Sequence, residues 1–442
     1  MTANDPASQD GLTAALVGDC IPSRPLAQLA ERDRRFGSVV EILRRAEATV
    51  GNLETPILDV GLQGAAPWGA PDDWVVRASP PVAADLRALG FDAFARANNH
   101  GMDWGVEGMR ETSRLLDSVG LVHAGAGESA SAARAPAYLE TPGGRVALIS
   151  ATTSPSPDVV APALDPFHGV AARPGVHAVR VRATVTADPT HIAWLRELRL
   201  EFPELSSAWT EAEPDLEVAG TRFIAGDEHG VAYEVDPDDL RELLRSVRQG
   251  KQHAEVAVLA LHVHQGDRPG ELPPSFLREL ARTAIDVGAD AVVVSGPHRL
   301  GPVEVHRGRP IFYGLGNFIW SDLHEPQPRY FWERTDRSLG DAAPDPAVAT
   351  DAELMRVLNA DAFDAPEVFR AVIAMVRFEA GGVAEVRLHP VELGYGEPLT
   401  RSGIPRTATP EVAAEVLSTM AELSSSFACE VLPDGGVVTA GR

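Results

Sequence analysis

Residues 254–298 read AEVAVLALHVHQGDRPGELPPSFLRELARTAIDVGADAVVVSGPH. Two continuous apolar runs, each of strand length, flank a segment whose apolar residues recur at helical spacing. The reading is a strand over 254–261, a helix over 275–287 and a strand over 291–294, with a further strand over 310–313. This strand–helix–strand succession is the cleanest unit in the sequence. The first run stops at His262-Val263-His264 and the second at Gly296-Pro297-His298.

The same grammar extends outward. An apolar run over 12–18 stops at Asp19, residues 26–45 have helical spacing, and 47–52 reads as another strand. A helix over 81–89 precedes a strand over 93–97, and a helix over 109–119 precedes a strand over 145–151. Strands alternating with helices give an α/β fold, with sheet covered by helices. Residues 153–185 are rich in proline and alanine and predict a surface insertion. A helix over 237–248 starts with Asp236 as N-cap and proline in its first position. Residues 333–366 form an acidic loop with room for one helix. The alternation over 368–393, broken by Gly381-Gly382, predicts a β-hairpin, followed by a helix over 411–423 and a short strand. The expected organisation is a main domain over 11–320 carrying an insertion at 153–251, an acidic region at 321–366 and a C-terminal extension at 367–442.

Composition removes several function classes. The 442 residues carry 63 acidic against 39 basic side chains, a formal charge of −24, which disfavours nucleic acid or an anionic membrane as partner. No apolar run approaches the length of a membrane span. The start, MTANDPASQD, has no basic residue before Arg24, unlike a signal peptide, so a cytoplasmic location is expected. Cys20 and Cys429 are the only cysteines, too few for a disulfide framework or a thiolate metal cluster.

Chemistry collects where the apolar runs stop. Asp19, then Asn52 and Glu54, then Asn98-Asn99-His100 with Asp103, then His262 and His264, then His298 follow five successive strand ends. Loops beyond the carboxyl ends of strands form the site in open α/β sheets. One aspartate there is more often a turn or helix cap, and one histidine more often a packed or surface residue. Five such ends in order, three of them with histidine, point to a site for zinc, manganese or iron built from oxygen and nitrogen donors.

Three strings are more specific: GNLETPI at 51–57, RANNHGMDWGVEG at 96–108 and GRPIFYGLGNFIW at 308–320. With the ordered strand ends they resemble the CapA-like (poly-γ-glutamate capsule synthesis) family, a branch of the calcineurin-type metallophosphoesterase superfamily. The resemblance implies a sandwich of two stacked sheets flanked by helices, with the C-terminal hairpin and helix as an extension. It implies two divalent ions. Asp19 would open the metal site, and the Asn52/Glu54 pair would replace a bridging aspartate, with Glu54 the better ligand. Asn99, His262, His264 and His298 would complete the donors, and His100 would act as the acid at the leaving group. Two histidines of the superfamily are missing, since Ile21 and Ser295 stand at those positions. Either His264 supplies the lost nitrogen or one of the two metals binds weakly or not at all.

Other side chains have two readings. Asp103 either orients His100 or caps the following helix, and capping is the expectation. Arg24 and Arg77 either clamp a substrate anion or form surface ion pairs, which are commoner. Trp104 and Trp320 are expected in core packing, Asn317 in shaping a turn and Cys20 as a small packing residue. The expected function is a metal-dependent phosphoesterase acting on a small biosynthetic molecule. Hydrolysis of an amide or γ-glutamyl bond, with a short acidic peptide as substrate, is the alternative, and a metal-stabilised scaffold the third. Oligomeric state is not encoded in any of these signals.

Overall fold

The computed structural model describes residues 11–66, 75–153, 164–202, 209–212, 215–218, 221–266, 270, 272–321, 329, 332–333, 343–359, 364–379, 382–427 and 429–439. The expected Gly381 half of the hairpin turn lies outside these residues.

Two mixed sheets pack against each other, and helices cover their outer faces. The first has eight strands. Leu12–Ile21 pairs in parallel with Ala48–Leu53, which continues to Ala93–Ala95 and Val122–Ala124. On its other side Leu12–Ile21 pairs with Arg370–Glu379 over its first half and with Asn317–Trp320 over its end. The hairpin Arg370–Glu379 and Gly382–Glu392, with Arg406–Thr407, completes the sheet. The second sheet has six strands, with parallel Gly144–Thr152, Val256–His262, Ala291–Ser295 and Arg309–Phe312 at its centre. Antiparallel strands, Ala137–Thr141 and Val303–His306, close its two edges.

Period-two alternation decides what each strand faces. Along Leu12–Ile21, Leu12, Ala14 and Leu16 pack in the core shared with the second sheet, while Ala15 and Val17 pack against the helices. Those helices are Arg34–Arg45 and Pro81–Leu89, which bury Phe36, Val39, Leu43, Val82, Leu86 and Leu89. Burying side chains of this size is worth about 1.5–3 kcal/mol each. The helical spacing read over 26–45 divides into Ala27–Ala30 and Arg34–Arg45. Asp33 makes the break, because its carboxylate accepts from the backbone N–H of Arg35 and Phe36 and so caps a new helix. On the second sheet, Pro237–Gln252 and Ser275–Asp286 bury Leu243, Val247, Phe276 and Leu280. Asp236 caps the first of these as its sequence predicts, accepting from Asp238 and Asp239 N–H.

The insertion differs from its expectation. Val181–Ala187, Trp209–Ala212, Asp215–Val218, Thr221–Ala225 and Gly230–Val235 form a separate five-stranded sheet, with the helix Pro189–Glu201 against it. Val181–Ala187, Thr221–Ala225 and Gly230–Val235 are half-exposed or more and carry charges, so they lack the apolar runs that mark the others. Within the expected insertion, Pro237–Gln252 packs Leu243 and Val247 into the core shared by the two sheets. In the acidic region the helix is Asp351–Asn359. At the C-terminus, Pro410–Ser424 packs against the hairpin, and Ser424 Oγ accepts from Val303 N–H at 2.9 Å. No helix among the described residues is long and apolar enough to cross a membrane.

Candidate metal centre

Parallel pairing aligns the carboxyl ends of the strands, so the polar residues that terminate them meet. Asp19 is in register with Asn52 and Asn317, and His262 with Ser295. Two glycines permit the closest approach. A Cβ on Gly18 would lie 1.9 Å from Gly316 O, and one on Gly316 would lie 2.3 Å from Arg370 O. Gly316 also has φ +78°, and Asp19 N–H donates to its carbonyl at 3.2 Å.

Two donor groups share one carboxylate. Glu54, His262 and His264 form the first, and Asp19, Glu54 and His298 the second, with ligand atoms in each group within 4.8 Å of one another. His262 Nε2 lies 3.0 Å from His264 Nε2, 2.7 Å from Asn99 Oδ1 and 3.4 Å from Glu54 Oε1. On the other side, His298 Nε2 is 3.8 Å from Glu54 Oε1, and its Nδ1 is 3.4 Å from Asp19 Oδ2. Asp19, Glu54 and His262 are buried, whereas His264 is exposed and leaves the first group accessible from solvent.

The electrostatics fit a cation. Both Glu54 oxygens are buried without a hydrogen-bond partner. Burial, followed by the negative charges of Asp19 and Asp103, pushes the Glu54 carboxyl well above the usual range. Burial also pushes against ionisation of Asp19. The hydrogen bond and charge of His298, with His262 and Asn52, outweigh it and hold Asp19 well below the carboxylate range. Burial, reinforced by neighbouring histidines, depresses His262 strongly. His264, exposed as a residue but with its ring set against those of His262 and His298, is lowered to about 4 by the same causes, which favours neutral rings with lone pairs for a metal. An imidazole and carboxylate set of this kind suits zinc, manganese or iron.

Around the donors runs a hydrogen-bonded frame. Asn52 Nδ2 donates to Asp19 Oδ1 at 2.8 Å, and Asn52 Oδ1 accepts from Asn98 Nδ2 at 3.1 Å. The Asn52 oxygen therefore faces Asn98. Asn98 also donates to Leu53 O and accepts from His100 N–H, tying the second and third strand ends together. Ser295 Oγ lies 3.0 Å from His262 Nδ1, and Gly296 N–H donates to Asp19 Oδ2 at 3.2 Å.

Asp103 corrects its sequence reading. The helix it precedes, Gly105–Ser118, has Trp104 at its N-cap and no side-chain cap. Asp103 is fully buried, and its Oδ2 accepts from His100 Nδ1 at 2.8 Å and from Val76 N–H at 2.8 Å. The aspartate orients the histidine. The two arginines hold backbone: Arg24 Nη2 donates to Thr400 O, and buried Arg77 donates to Leu58 O. Trp104 Nε1 donates to Val76 O, while the Trp320 ring meets His298 edge-on with centroids 5.1 Å apart. Cys20 is buried, its thiol pushed well above the usual range first by burial and then by the charges of Asp19 and Glu54.

The sequence reading gave Asn98 no role. Its place in an Asn-Asn doublet at a strand end was the available signal, because buried amides must find several partners.

Comparison with known proteins adds four findings. The model of the family described as bacterial capsule synthesis protein PGA_cap matches residues 13–322. A Sinorhizobium fredii protein, y4sH, is 39% identical over 432 residues, covering 96% of this chain and 91% of its own length. The PGA biosynthesis protein CapA of Bacillus subtilis is 25% identical, covering 71% of this chain and 64% of its own. The capsule biosynthesis protein CapA of Bacillus anthracis is 23% identical, covering 70% of this chain and 60% of its own. With a family match spanning the second sheet, five of the eight strands of the first and every strand end of the donor set, the chain belongs to the bacterial capsule synthesis protein (CapA) family.

Proposed function

We propose that the chain is a metal-dependent hydrolase that cleaves a phosphoester in a small cytoplasmic metabolite. The observation that carries this reading is the buried Glu54 carboxylate, shared by two donor groups and hydrogen-bonded to nothing. Asp19, Glu54 and His298 would hold one divalent ion, and Glu54, His262 and His264 the other, with Asn99 beside the second. Bound ions of this class lower the pKa of water to about 7 and neutralise charge developing on the substrate.

The remaining steps belong to side chains. Asn52 and Gly296 N–H fix the two oxygens of Asp19. His100 gives its Nδ1–H to Asp103, which leaves Nε2 to carry the proton for the departing alkoxide. Asp103 is buried and held by Val76 N–H, so the imidazole keeps one orientation as its charge changes. Ser295 faces His262 Nδ1, and His264 takes the nitrogen-donor place that Ser295 does not fill.

A γ-glutamyl-type amide is the second reading, with a short acidic peptide as substrate. The names of the two Bacillus relatives, in PGA and capsule biosynthesis, favour it. The net charge of −24 works against a long polyanion and toward a short substrate.

Protein purified without added metal would be assayed for iron, manganese and zinc, then for turnover of an aryl phosphodiester, an aryl phosphomonoester and a γ-glutamyl anilide. About two metals per chain and ester turnover lost in Asp19→Ala and His100→Ala support the phosphoesterase. Anilide turnover alone selects the amide reading, and a metal-free inactive protein overturns both in favour of a scaffold.

A further inference from the structure

His298 is unusual in two ways. It is a non-glycine residue with φ +55°, a left-handed backbone that side chains disfavour. Both its ring nitrogens also point at carboxylates, Nδ1 toward Asp19 and Nε2 toward Glu54. A ligand histidine must present a bare nitrogen to the ion, so something has to choose which nitrogen carries the proton.

Asn317 is placed to choose. It is fully buried in the Asn317–Trp320 strand, in register with Asp19. Its amide nitrogen donates to Val368 O at 3.2 Å and to His298 O at 3.4 Å. With both hydrogens directed at carbonyls, the oxygen is the atom left facing His298 Nδ1, at 2.9 Å. The flipped amide would set its oxygen against two carbonyl oxygens, so the hydrogen-bond pattern allows one orientation. Asn317 Oδ1 therefore accepts, Nδ1 bears the hydrogen with Asp19 Oδ2 as a second, longer acceptor at 3.4 Å, and Nε2 keeps its lone pair. The bare nitrogen lies 3.8 Å from Glu54 Oε1, too far for a hydrogen bond. That spacing is within the span of two donors each about 2.1 Å from one cation.

We propose that Asn317 is a positioning residue of the metal centre: it holds His298 as the Nδ1–H tautomer and, through the His298 carbonyl, keeps the left-handed backbone that aims Nε2 at Glu54. The inference rests on the metal-centre reading for its purpose but not for its geometry. Histidine ligands commonly donate their second ring N–H to such a partner, and removing the partner weakens metal binding about 10–100-fold.

The test has two readouts. Imidazole ¹⁵N spectra of metal-stripped wild-type protein report the His298 tautomer directly, assigned by the loss of its signals in His298→Gln. Calorimetric titration with Zn²⁺ and with Mn²⁺ reports affinity in wild type, Asn317→Ala and Asn317→Asp, with circular dichroism to check folding. Nδ1–H in wild type, its loss in Asn317→Ala with about 10–100-fold weaker binding, and partial recovery in Asn317→Asp, which in its neutral form keeps an acceptor oxygen and one donor for the two carbonyls, support the proposal. An Nε2–H tautomer in wild type overturns it, as does a folded Asn317→Ala variant with unchanged tautomer and affinity. If Asn317→Ala does not fold, the wild-type tautomer and the Asn317→Asp titration decide. Wild-type protein that binds neither ion defeats the metal reading, while the tautomer spectrum still judges the role of Asn317.

Discussion

Glu54 and His262 approach each other from opposite sheets, with Oε1 3.4 Å from Nε2 and both side chains buried. Because the same carboxylate also faces His298, the two donor groups are coupled through one residue. Glu54→Gln keeps the volume and removes the charge, and it should empty both groups together. His264→Ala and His298→Ala should each affect only their own group. Elemental analysis after dialysis checks this, and wild-type metal content in Glu54→Gln would rule out the shared carboxylate.

The His100–Asp103 pair predicts a separation of chemistry from metal binding. His100→Ala should lower turnover about 10²–10⁴-fold, the usual contribution of a positioned acid, with metal content unchanged. Asp103→Asn should lower it by a smaller factor, and the double variant should be no worse than His100→Ala, because the two act as one unit. Steady-state rates beside metal analysis test both parts. Metal loss in His100→Ala would place that ring among the ligands instead.

A pH-dependent term in stability comes from His177, away from the donor set. Its Nδ1–H donates to Ser150 O at 2.8 Å, and burial first of all depresses its pKa from 6.5 to about 4. The unfolded chain therefore takes up a proton that the folded chain refuses between these values. The contribution is complete above pH 6.5, declines as pH falls toward 4 and is flat below. At pH 5 the expected loss relative to pH 7 is about 2 kcal/mol. Urea unfolding of wild type and His177→Gln at both pH values checks it, since the variant should lose less on acidification. Parallel losses in the two proteins would refute the assignment.

The cysteines offer a simple check on the fold. Cys20 and Cys429 are both buried and unpaired, and burial is the first cause raising each thiol, Cys429 to about 11. A thiol reagent at neutral pH should leave the native protein unlabelled and modify both cysteines in denaturant. Fast native labelling at either position would show that the packing around it differs.

The elements legible in the sequence were those whose burial is complete. Val256–His262 and Ala291–Ser295 are apolar at nearly every position, and their ends differ from the reading by at most two residues. The five-stranded insertion sheet escaped because strands such as Gly230–Val235 are largely exposed, so hydrophobic patterning has little to act on. The gathering of Asp19, Glu54, His262, His264 and His298 was legible because strand ends carry them in order. Their arrangement was not: Asp103 reads more readily as a helix cap, and His100 Nδ1 with Val76 N–H, brought in from a distant segment, shows where its carboxylate points. Asn317 and Asn98 work through partners 19 to 51 and 45 to 46 positions away, and no local pattern encodes such separations.

Gly18 and Gly316 give the centre a vulnerability that its chemistry does not advertise. Neither carries a side chain to offer a metal, yet a Cβ at either would run into a backbone oxygen of the segment beside it. A single added methyl, as in Gly18→Ala, would wedge the first strand from its partner and pull Asp19 out of line with Asn317 while every donor remained in the sequence. A survey of natural variants that scored only the histidines and carboxylates would pass such a chain as intact. For this protein, the absence of a side chain at two positions is as good a diagnostic of a working centre as the presence of any ligand.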